Sequence, residues 1–194
     1  MVTRTAQRLR AGLLALGLLL TASAACANSS ASETAPTPEA HDGPADFDFE
    51  IGRWRTEVKR LAKPLSGSTE WVEYQGTSVV HEFLDGRANL VELSIAGPAG
   101  RIEGVSLRLY HPETEQWSLH YASARDGELT APLHGRFENG RGEFYGDDRL
   151  GDRPIRVRFV ITQDGADTAR FEQAFSADGG ATWEVNWIAT DTRL

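Results

Sequence analysis

The chain has 194 residues, and its 20 lysines and arginines are outnumbered by 28 aspartates and glutamates, which gives a formal net charge of -8. This balance argues against nucleic acid as a partner, because the phosphates of nucleic acid must be neutralised by basic side chains. It also argues against adsorption to anionic membranes through a basic surface. A single cysteine excludes an intramolecular disulfide bond, so the fold must depend on its apolar core.

The first segment, residues 1–25, has the composition of a signal peptide. Arg4, Arg8 and Arg10 precede an apolar run of 12 residues, Ala11 to Ala22, and small residues follow. Such a run is too short for a permanent membrane span, which needs about 20 residues. A basic head, a short apolar stretch and small residues are typical of a secretion signal. We therefore predict that the mature chain is exported.

The residues around Cys26 leave two processing routes open. The tetrapeptide "SAAC", which ends at Cys26, resembles a bacterial lipobox, although Ser23 stands where an aliphatic residue is usual. The resemblance implies cleavage before Cys26, lipidation of its thiol and a lipoprotein of the bacterial envelope that reaches the membrane through this anchor only. The alternative is ordinary signal-peptidase cleavage after Ala24 or Ala27, which would give a soluble periplasmic or secreted protein.

Residues 26–46 have the composition of a linker. They are small, polar and interrupted by proline, and no aliphatic side chain among them is larger than alanine. Such a segment cannot bury enough apolar surface to offset the entropy lost on ordering. We expect a flexible tether, which favours the anchored protein over the freely secreted one.

The 148 residues from Phe47 to Leu194 are predicted to form one all-β domain. Apolar residues recur at every second position between turn signals, and Asn139-Gly140 is typical of a tight hairpin. About ten strands are expected, and eleven short segments show this pattern: "RWRTEVKRL", "TEWVEYQ", "TSVVHEFL", "ANLVELSI", "IEGVSLRLY", "QWSLHYAS", "LHGRFE", "RGEFYGDD", "PIRVRFVIT", "TARFEQAFS" and "TWEVNWIATDT". Sequential antiparallel strands favour an up-and-down barrel, because closure removes the exposed edges; a β-sandwich is the alternative.

The alternation assigns an apolar inner face and a charged outer face to each strand. The inward sets are Trp117, Leu119 and Tyr121; Ile155, Val157, Phe159 and Ile161; Phe171, Gln173 and Phe175; and Trp183, Val185, Trp187 and Ala189, with Glu184 and Asn186 outward. If the lumen holds a ligand, Trp117, Tyr121, Phe171 and Trp187 are the expected walls and Gln173 the polar contact. A lumen filled with side chains is the alternative, because barrels of this size occur in both forms.

Two longer stretches resemble known proteins. Gly52-x-Trp54 in "FDFEIGRWRTEV" is similar to the Gly-x-Trp signature of lipocalins and other calycin barrels. The resemblance implies that Trp54 packs across one end of the barrel beneath Arg193. The match from "FDFEIGRW" through "WSLHYASAR", "GRFENGRGEFYGDD" and "FSADGGATWEVNW" resembles a bacterial family of lipocalin-like barrels and implies a fold but no activity. Haem-binding barrels of the nitrobindin type need a C-terminal histidine, but the last one here is His134, so no cofactor is expected.

The octapeptide "SADGGATW", Ser176 to Trp183, resembles the Asp-box hairpin of sialidases and unrelated secreted proteins. In such a turn Asp178 would accept backbone hydrogen bonds, Gly180 would supply a positive φ, and Trp183 would pack beneath. Sialidases carry several boxes, one on each propeller blade. A single copy therefore predicts a turn and not a glycosidase.

The sequence contains no convincing catalytic or metal-binding pattern. Asp147 and Asp148 are adjacent, so on a strand they diverge, unlike the facing carboxylates of a glycosidase. The histidines lack metal-ligand spacing, and no Gly-x-Ser-x-Gly elbow is present. The leading hypothesis is a barrel that binds a small apolar or amphipathic ligand. The alternatives are a hydrolase-type enzyme with Asp147, Asp148 or His81 as acid or base at the barrel mouth, and an envelope accessory protein that acts through its outer surface.

Overall fold

The computed structural model describes residues 43–194, so the predicted signal peptide, Cys26 and most of the predicted tether lie outside the described residues. Two short 3-10 helices, Gly43–Ala45 and Asp48–Glu50, precede the strands. The strands are β1 (Gly52–Leu61), β2 (Trp71–Phe83), β3 (Ala88–Gly97), β4 (Gly100–His111), β5 (Gln116–Ser123), β6 (Leu133–Glu138), β7 (Arg141–Leu150), β8 (Arg153–Gly165), β9 (Thr168–Ser176) and β10 (Glu184–Arg193). Within residues 43–194 no helix is long and apolar enough to cross a membrane.

These ten strands form a closed antiparallel barrel. Each strand pairs with its neighbour in sequence, and β10 returns to pair with β1, where Trp54 lies opposite Arg193. The turn between β6 and β7 has φ of 53° at Asn139 and 74° at Gly140, as expected for a tight hairpin. The predicted up-and-down barrel is confirmed, and the sandwich alternative is wrong, because closure leaves no strand edge within the sheet unpaired.

Strand β2 combines two of the predicted segments, "TEWVEYQ" and "TSVVHEFL". It runs without interruption through Gly76, which lies opposite Thr56 on β1 and Ile95 on β3. A Cβ atom at Gly76 would lie 2.1 Å from the carbonyl oxygen of Ser94. Glycine at this position therefore lets the backbone of β3 approach closely, and it does not mark a break in the strand.

One end of the barrel is closed by residues 43–51, which we call the plug segment. Phe47 lies at the centre of an aromatic cluster, with its ring centroid 4.8 Å from that of Trp117 and 5.0 Å from that of Phe137. Asp46 also belongs to this closed end, because its Oδ2 accepts a hydrogen bond from Trp117 Nε1 at 2.9 Å. Burial of each large aromatic side chain contributes roughly 1.5–3 kcal/mol, so the closed end is a major part of the core.

The predicted facing of β10 is wrong in its first half. Val185 pairs with Ala174, whereas Trp187 pairs with Gln173, so Asn186 is an additional residue between them. Asn186 was expected to point outward, but it is buried and accepts a hydrogen bond from Gln173 Nε2 at 2.7 Å. Such a bulge reverses the alternation, and Val185 therefore shares the outward side with Ala174.

Trp183 also departs from the predicted inner face. It precedes β10, with its ring centroid 5.9 Å from that of Tyr145 and the guanidinium carbon of Arg158 at 4.9 Å from its centroid. Arg158 alternates with Val157 and Phe159, which line the lumen. Trp183 thus packs on the outside of the sheet, where Arg158 covers its ring.

Candidate ligand-binding lumen

A cavity of about 700 Å³ occupies the interior of the barrel, from the plug segment to the opposite end, which we call the open end. Its wall includes Trp54 near the plug and Asp147 and Asp148 at the far limit. The lumen is therefore open and is not filled by its own side chains. A volume of this size lies within the range of sites for small organic molecules.

The middle of the lumen is apolar. Phe159 and Phe171 form an edge-to-face pair with their ring centroids 4.9 Å apart. Leu119, Val157 and Trp187 complete this zone of the wall. Because these side chains come from strands β5, β8, β9 and β10, the apolar surface covers much of the circumference. It can desolvate a hydrocarbon or aromatic group.

The structure brings together four of the five side chains predicted to contact a ligand. Tyr121, Phe171, Gln173 and Trp187 all line the cavity. Trp117 does not, because it is completely buried in the aromatic cluster at the closed end. The alternation correctly placed Trp117 on the inner face. It could not indicate how far the plug segment reaches into the barrel.

Tyr121 lies near the open end and is partly buried. Burial raises the pKa of its hydroxyl, with Arg60 acting to lower it and Asp126 to raise it. The hydroxyl therefore stays protonated at neutral pH. It offers both a hydrogen-bond donor and an acceptor to a molecule that enters the lumen.

The end of the lumen next to the plug segment is polar, and we call its five residues the floor: Glu50, Thr56, Ser78, Arg108 and Asp191. Thr56 Oγ1 hydrogen-bonds Asp191 Oδ1 at 2.5 Å, and Ser78 Oγ hydrogen-bonds the same oxygen at 3.3 Å. Burial raises the pKa of Asp191 to about 6, the negative charge of Glu50 adds to this effect, and the two hydroxyls and Arg108 oppose it. Asp191 thus titrates in the physiological range.

A buried ion pair stands beside this carboxyl group. Arg108 Nη1 donates to Glu50 Oε2, and both side chains are at most one-tenth exposed. The guanidinium carbon of Arg108 also lies 4.2 Å from the ring centroid of Phe47. The pair connects β4 to the plug segment, while Arg108 Nε has no hydrogen-bond partner among residues 43–194.

The sequence interpretation did not identify Glu50, Ser78, Arg108 and Asp191 as residues of the floor. The signal for Asp191 was present, because it continues the inward series of Trp187 and Ala189 by one more step of two. Arg108 could not be found in this way. Leu107 and Leu109 flank it on the outward side of β4, so hydrophobicity alone suggests the opposite facing. Only its position opposite Leu119 on β5 reveals that it points inward.

The closed end brings together the predicted signature residues Gly52, Trp54 and Arg193. The guanidinium carbon of Arg193 is 4.2 Å from the ring centroid of Trp54, and its Nη1 and Nη2 donate to the carbonyl oxygens of Ile51 and Phe49. Gly52 has a φ of 123°, a conformation that side chains rarely adopt, and it joins the plug segment to β1. Arg193 therefore holds the plug segment and Trp54 in place.

The loop from Ser176 to Trp183 is a tight connection between β9 and β10. Asp178 Oδ1 accepts hydrogen bonds from Ser176 Oγ at 2.7 Å and from the backbone nitrogen of Thr182 at 2.9 Å. The hydrogen bonds from Thr182 and Ser176 lower the pKa of Asp178. Gly180 has a φ of 100°. The side chains of this loop satisfy its own backbone, and Asp178 does not line the lumen.

The residues named for the enzyme hypothesis do not assemble into a site. Asp147 and Asp148 lie at the open end, where the Asp147 side chain is 89% exposed and lies 3.6 Å from Arg156 Nε. His81 pairs with Leu90 and has its Nε2 3.9 Å from Glu92 Oε1, outside the lumen. Within residues 43–194 no three His, Cys, Asp or Glu side chains are grouped to hold a metal ion.

Comparisons with known proteins give three structural likenesses at low sequence identity. Neither a family model nor a curated protein matches the chain. Three redesigned or engineered barrels are similar in structure. EF1p2_mFAP2b bound to DFHBI has a TM-score of 0.44 and 11% identity, and the match covers 78% of this chain and 99% of that one. The redesigned barrel mFAP0, also bound to DFHBI, has a TM-score of 0.42 and 13% identity over 75% of this chain and 99% of its own. A further redesigned barrel has a TM-score of 0.42 and 13% identity, and the match covers 80% of this chain and 99% of that one.

Proposed function

We propose that the barrel binds a small amphipathic molecule in its lumen. The observation that carries this proposal is the continuous cavity of about 700 Å³ with an apolar middle and polar ends. A domain without disulfide bonds gains stability from a filled core. An open apolar lumen lowers this stability, so it needs a functional reason. Ligand pockets in proteins have this combination of an apolar wall and a few polar groups.

The same cavity argues against the two alternative functions. Hydrolytic chemistry would need an acid and a base that converge on one point, whereas Asp147, Asp148 and His81 lie on separate surfaces. An accessory role would rest on the outer face, where Val79, Val105 and Ala122 lie beside a shallow groove. Neither alternative explains why the side chains of the barrel leave an apolar cavity in its interior.

The binding test uses the neutral fluorophore N-phenyl-1-naphthylamine, whose emission rises in an apolar environment. We expect saturable binding that is lost in Leu93→Trp, because Leu93 lines the lumen and a larger ring would fill it. Leu90→Trp is the matched control: Leu90 is on the same strand but faces outward, between His81 and Leu107. Equal binding by both variants, or no saturable binding by the parent protein, would contradict the proposal. Native mass spectrometry of protein purified from its own host would then identify a co-purified ligand.

The proposal extends to location. The protein is exported and tethered to a membrane of the bacterial envelope through lipid on Cys26, and its domain is a lipocalin-like barrel. The basic and apolar head of residues 1–25 and the "SAAC" tetrapeptide support this placement. Cys26→Ser should move the protein from the membrane fraction to the soluble fraction. Unchanged membrane association of this variant would contradict the lipid anchor.

A further inference from the structure

The floor of the lumen holds a carboxylate, that of Asp191, which no cation among residues 43–194 neutralises. Both hydroxyls that bond Asp191, those of Thr56 and Ser78, act on the same oxygen, Oδ1. Among residues 43–194 no side chain donates to Oδ2, and no cationic side chain lies within 4.0 Å of this carboxyl group. Asp191 therefore presents one oxygen to the cavity that has no partner in the described part of the chain, residues 43–194.

The nearest basic residue of the floor is already engaged. Arg108 is paired with Glu50, so this pair carries no net charge. Ionised Asp191 then leaves the floor with one uncompensated negative charge. A buried charge is unfavourable without a partner, and a ligand that supplies the opposite charge would relieve this cost.

The cavity wall as a whole, counted with the floor, carries a small excess of negative charge. Of the ionised side chains that line it, four are arginines and six are carboxylates, which gives a net charge of -2. The arginines are Arg60, Arg101, Arg108 and Arg125, and the carboxylates are Glu50, Glu103, Asp126, Asp147, Asp148 and Asp191. A concave surface with low-dielectric walls concentrates ions of the opposite sign. Outside the floor the excess is a single negative charge, and Arg156 Nε lies 3.6 Å from Asp147 and offsets it, so Asp191 is the main source of a preference for a cation.

We infer that the ligand is an apolar molecule with a cationic amine at its inner end, and that the amine binds Asp191 through Oδ2. This inference rests on the proposed binding function and specifies the ligand class. The ammonium group would donate to Oδ2 at the floor, while the hydrocarbon or aromatic part would lie against Phe171 and Trp187 in the apolar zone. The amine must enter first, since the floor is at the closed end.

Protonation of Asp191 should compete with this binding. The groups that face it are Thr56 from β1, Ser78 from β2, Ala169 from β9, Arg108 from β4 and Glu50 from the plug segment, and together they leave its pKa at about 6. An alkylamine stays protonated across this range, because its pKa lies near that of lysine, about 10.4. Only the ionised carboxyl group pairs with the amine. The apparent Kd should therefore be about tenfold higher near pH 5 than near pH 7.5, in proportion to the loss of the competent form.

The test measures how decylamine, decanol and decanoate displace N-phenyl-1-naphthylamine from the full-length protein. We expect decylamine to displace the fluorophore at least about tenfold more effectively than decanol near pH 7.5, since a hydrogen-bonded charge pair adds on the order of one decade in affinity. This advantage should disappear near pH 5, while displacement by decanol stays constant. Asp191→Asn should remove the advantage at both pH values. Asp152→Asn is the matched control, because it removes the same charge from an exposed position outside the cavity wall.

The outcomes separate this inference from the proposed function. Fluorophore binding with equal displacement by amine and alcohol would overturn the amine and leave the lumen function standing. Stronger displacement by decanoate would also overturn it, and would indicate that Arg108 leaves Glu50 to bind an anion. Absence of fluorophore binding in the parent protein would refute the lumen function itself. If Asp191→Asn does not fold, the pH dependence of decylamine displacement in the parent protein decides the question.

Discussion

The two ends of the barrel differ in how they are built. At the closed end, Phe47, Trp117 and Phe144 are at most 1% exposed and pack ring against ring. At the open end the wall consists largely of charged side chains, such as Arg60, Arg101 and Asp147. Dense packing stabilises the closed end, whereas the open lumen leaves the other end with fewer buried contacts. The comparison predicts that substitutions at the closed end and its floor change stability, whereas substitutions at the open end change it less.

The largest effect is expected for Trp117→Ala. Removal of a completely buried indole creates a cavity and leaves Asp46 without its hydrogen bond, so the free energy of unfolding should fall by about 3–5 kcal/mol. Trp71→Ala is the matched control at the open end, where the side chain is 37% exposed. It should cost less than Trp117→Ala, about 1–2 kcal/mol, because water reaches more than a third of Trp71. Urea denaturation followed by far-UV circular dichroism measures both, and similar losses in the two variants would refute the proposed division between the ends.

A loss of about 3 kcal/mol is expected for Arg108→Met, because it leaves Glu50 buried without its cation. The double variant Arg108→Met with Glu50→Gln should recover most of this loss, since no unpaired charge then remains. A double-mutant cycle from urea denaturation measures the coupling between the two residues. Additive losses would show that the pair does not act as a unit.

A gain in stability is expected for Asp191→Asn at neutral pH. The pKa of Asp191 is raised from 3.8 to about 6, which means that the folded protein favours the protonated carboxyl group. The contribution of this group to the free energy of unfolding is therefore complete below about pH 4 and is lost as the pH rises through 6. A difference of about two pKa units corresponds to about 3 kcal/mol. The variant should be more stable than the parent by up to this amount near pH 7.5 and equal to it near pH 4.

Denaturation at several pH values measures this difference directly. The lowered pKa values of Glu143 and Asp178 act in the opposite sense, since they cost stability as the pH falls. They are present in both proteins and cancel in the comparison. A difference between the variant and the parent that does not change with pH would show that Asp191 does not titrate in this window.

The smallest effect is expected for Arg193→Met, at about 1–2 kcal/mol. The change removes a cation over the ring of Trp54 and two hydrogen bonds to plug carbonyl groups, although water can reach part of this site. Arg55→Met is the control on the neighbouring strand, because Arg55 is exposed. Hydrogen exchange of the plug segment should speed up in the first variant only. Unchanged exchange would show that Arg193 does not hold the plug in place.

Much of the fold could be read from alternation. The sets on β5, β8 and β9, including Leu119, Val157 and Phe171, face inward as expected, because each strand keeps one buried face over its whole length. Alternation gives the wrong facing at the start of β10, because the additional residue Asn186 reverses the facing of the residues that precede it in this strand. A bulge depends on the pairing of two strands and leaves little trace in either one alone.

The candidate site was less accessible to sequence reasoning. Aromatic walls such as Phe171 and Trp187 follow from the inward pattern, but the polar floor combines side chains that are far apart in the chain. Asp191 and Thr56 are separated by 135 residues, and Glu50 and Arg108 by 58. Their proximity results from the return of β10 to β1 and from the path of the plug segment.

The amino-acid sequence by itself determined most of the strands, their order and the inner faces of β5, β8 and β9, because these follow from local alternation and from turn residues such as Asn139 and Gly140. Only the tertiary structure decided that the lumen is open, that Trp117 belongs to the closed end and that Asp191 has no paired cation among residues 43–194. The physical reason is that cavity volume and charge balance are properties of groups brought together by ring closure, and no single segment of the chain contains them.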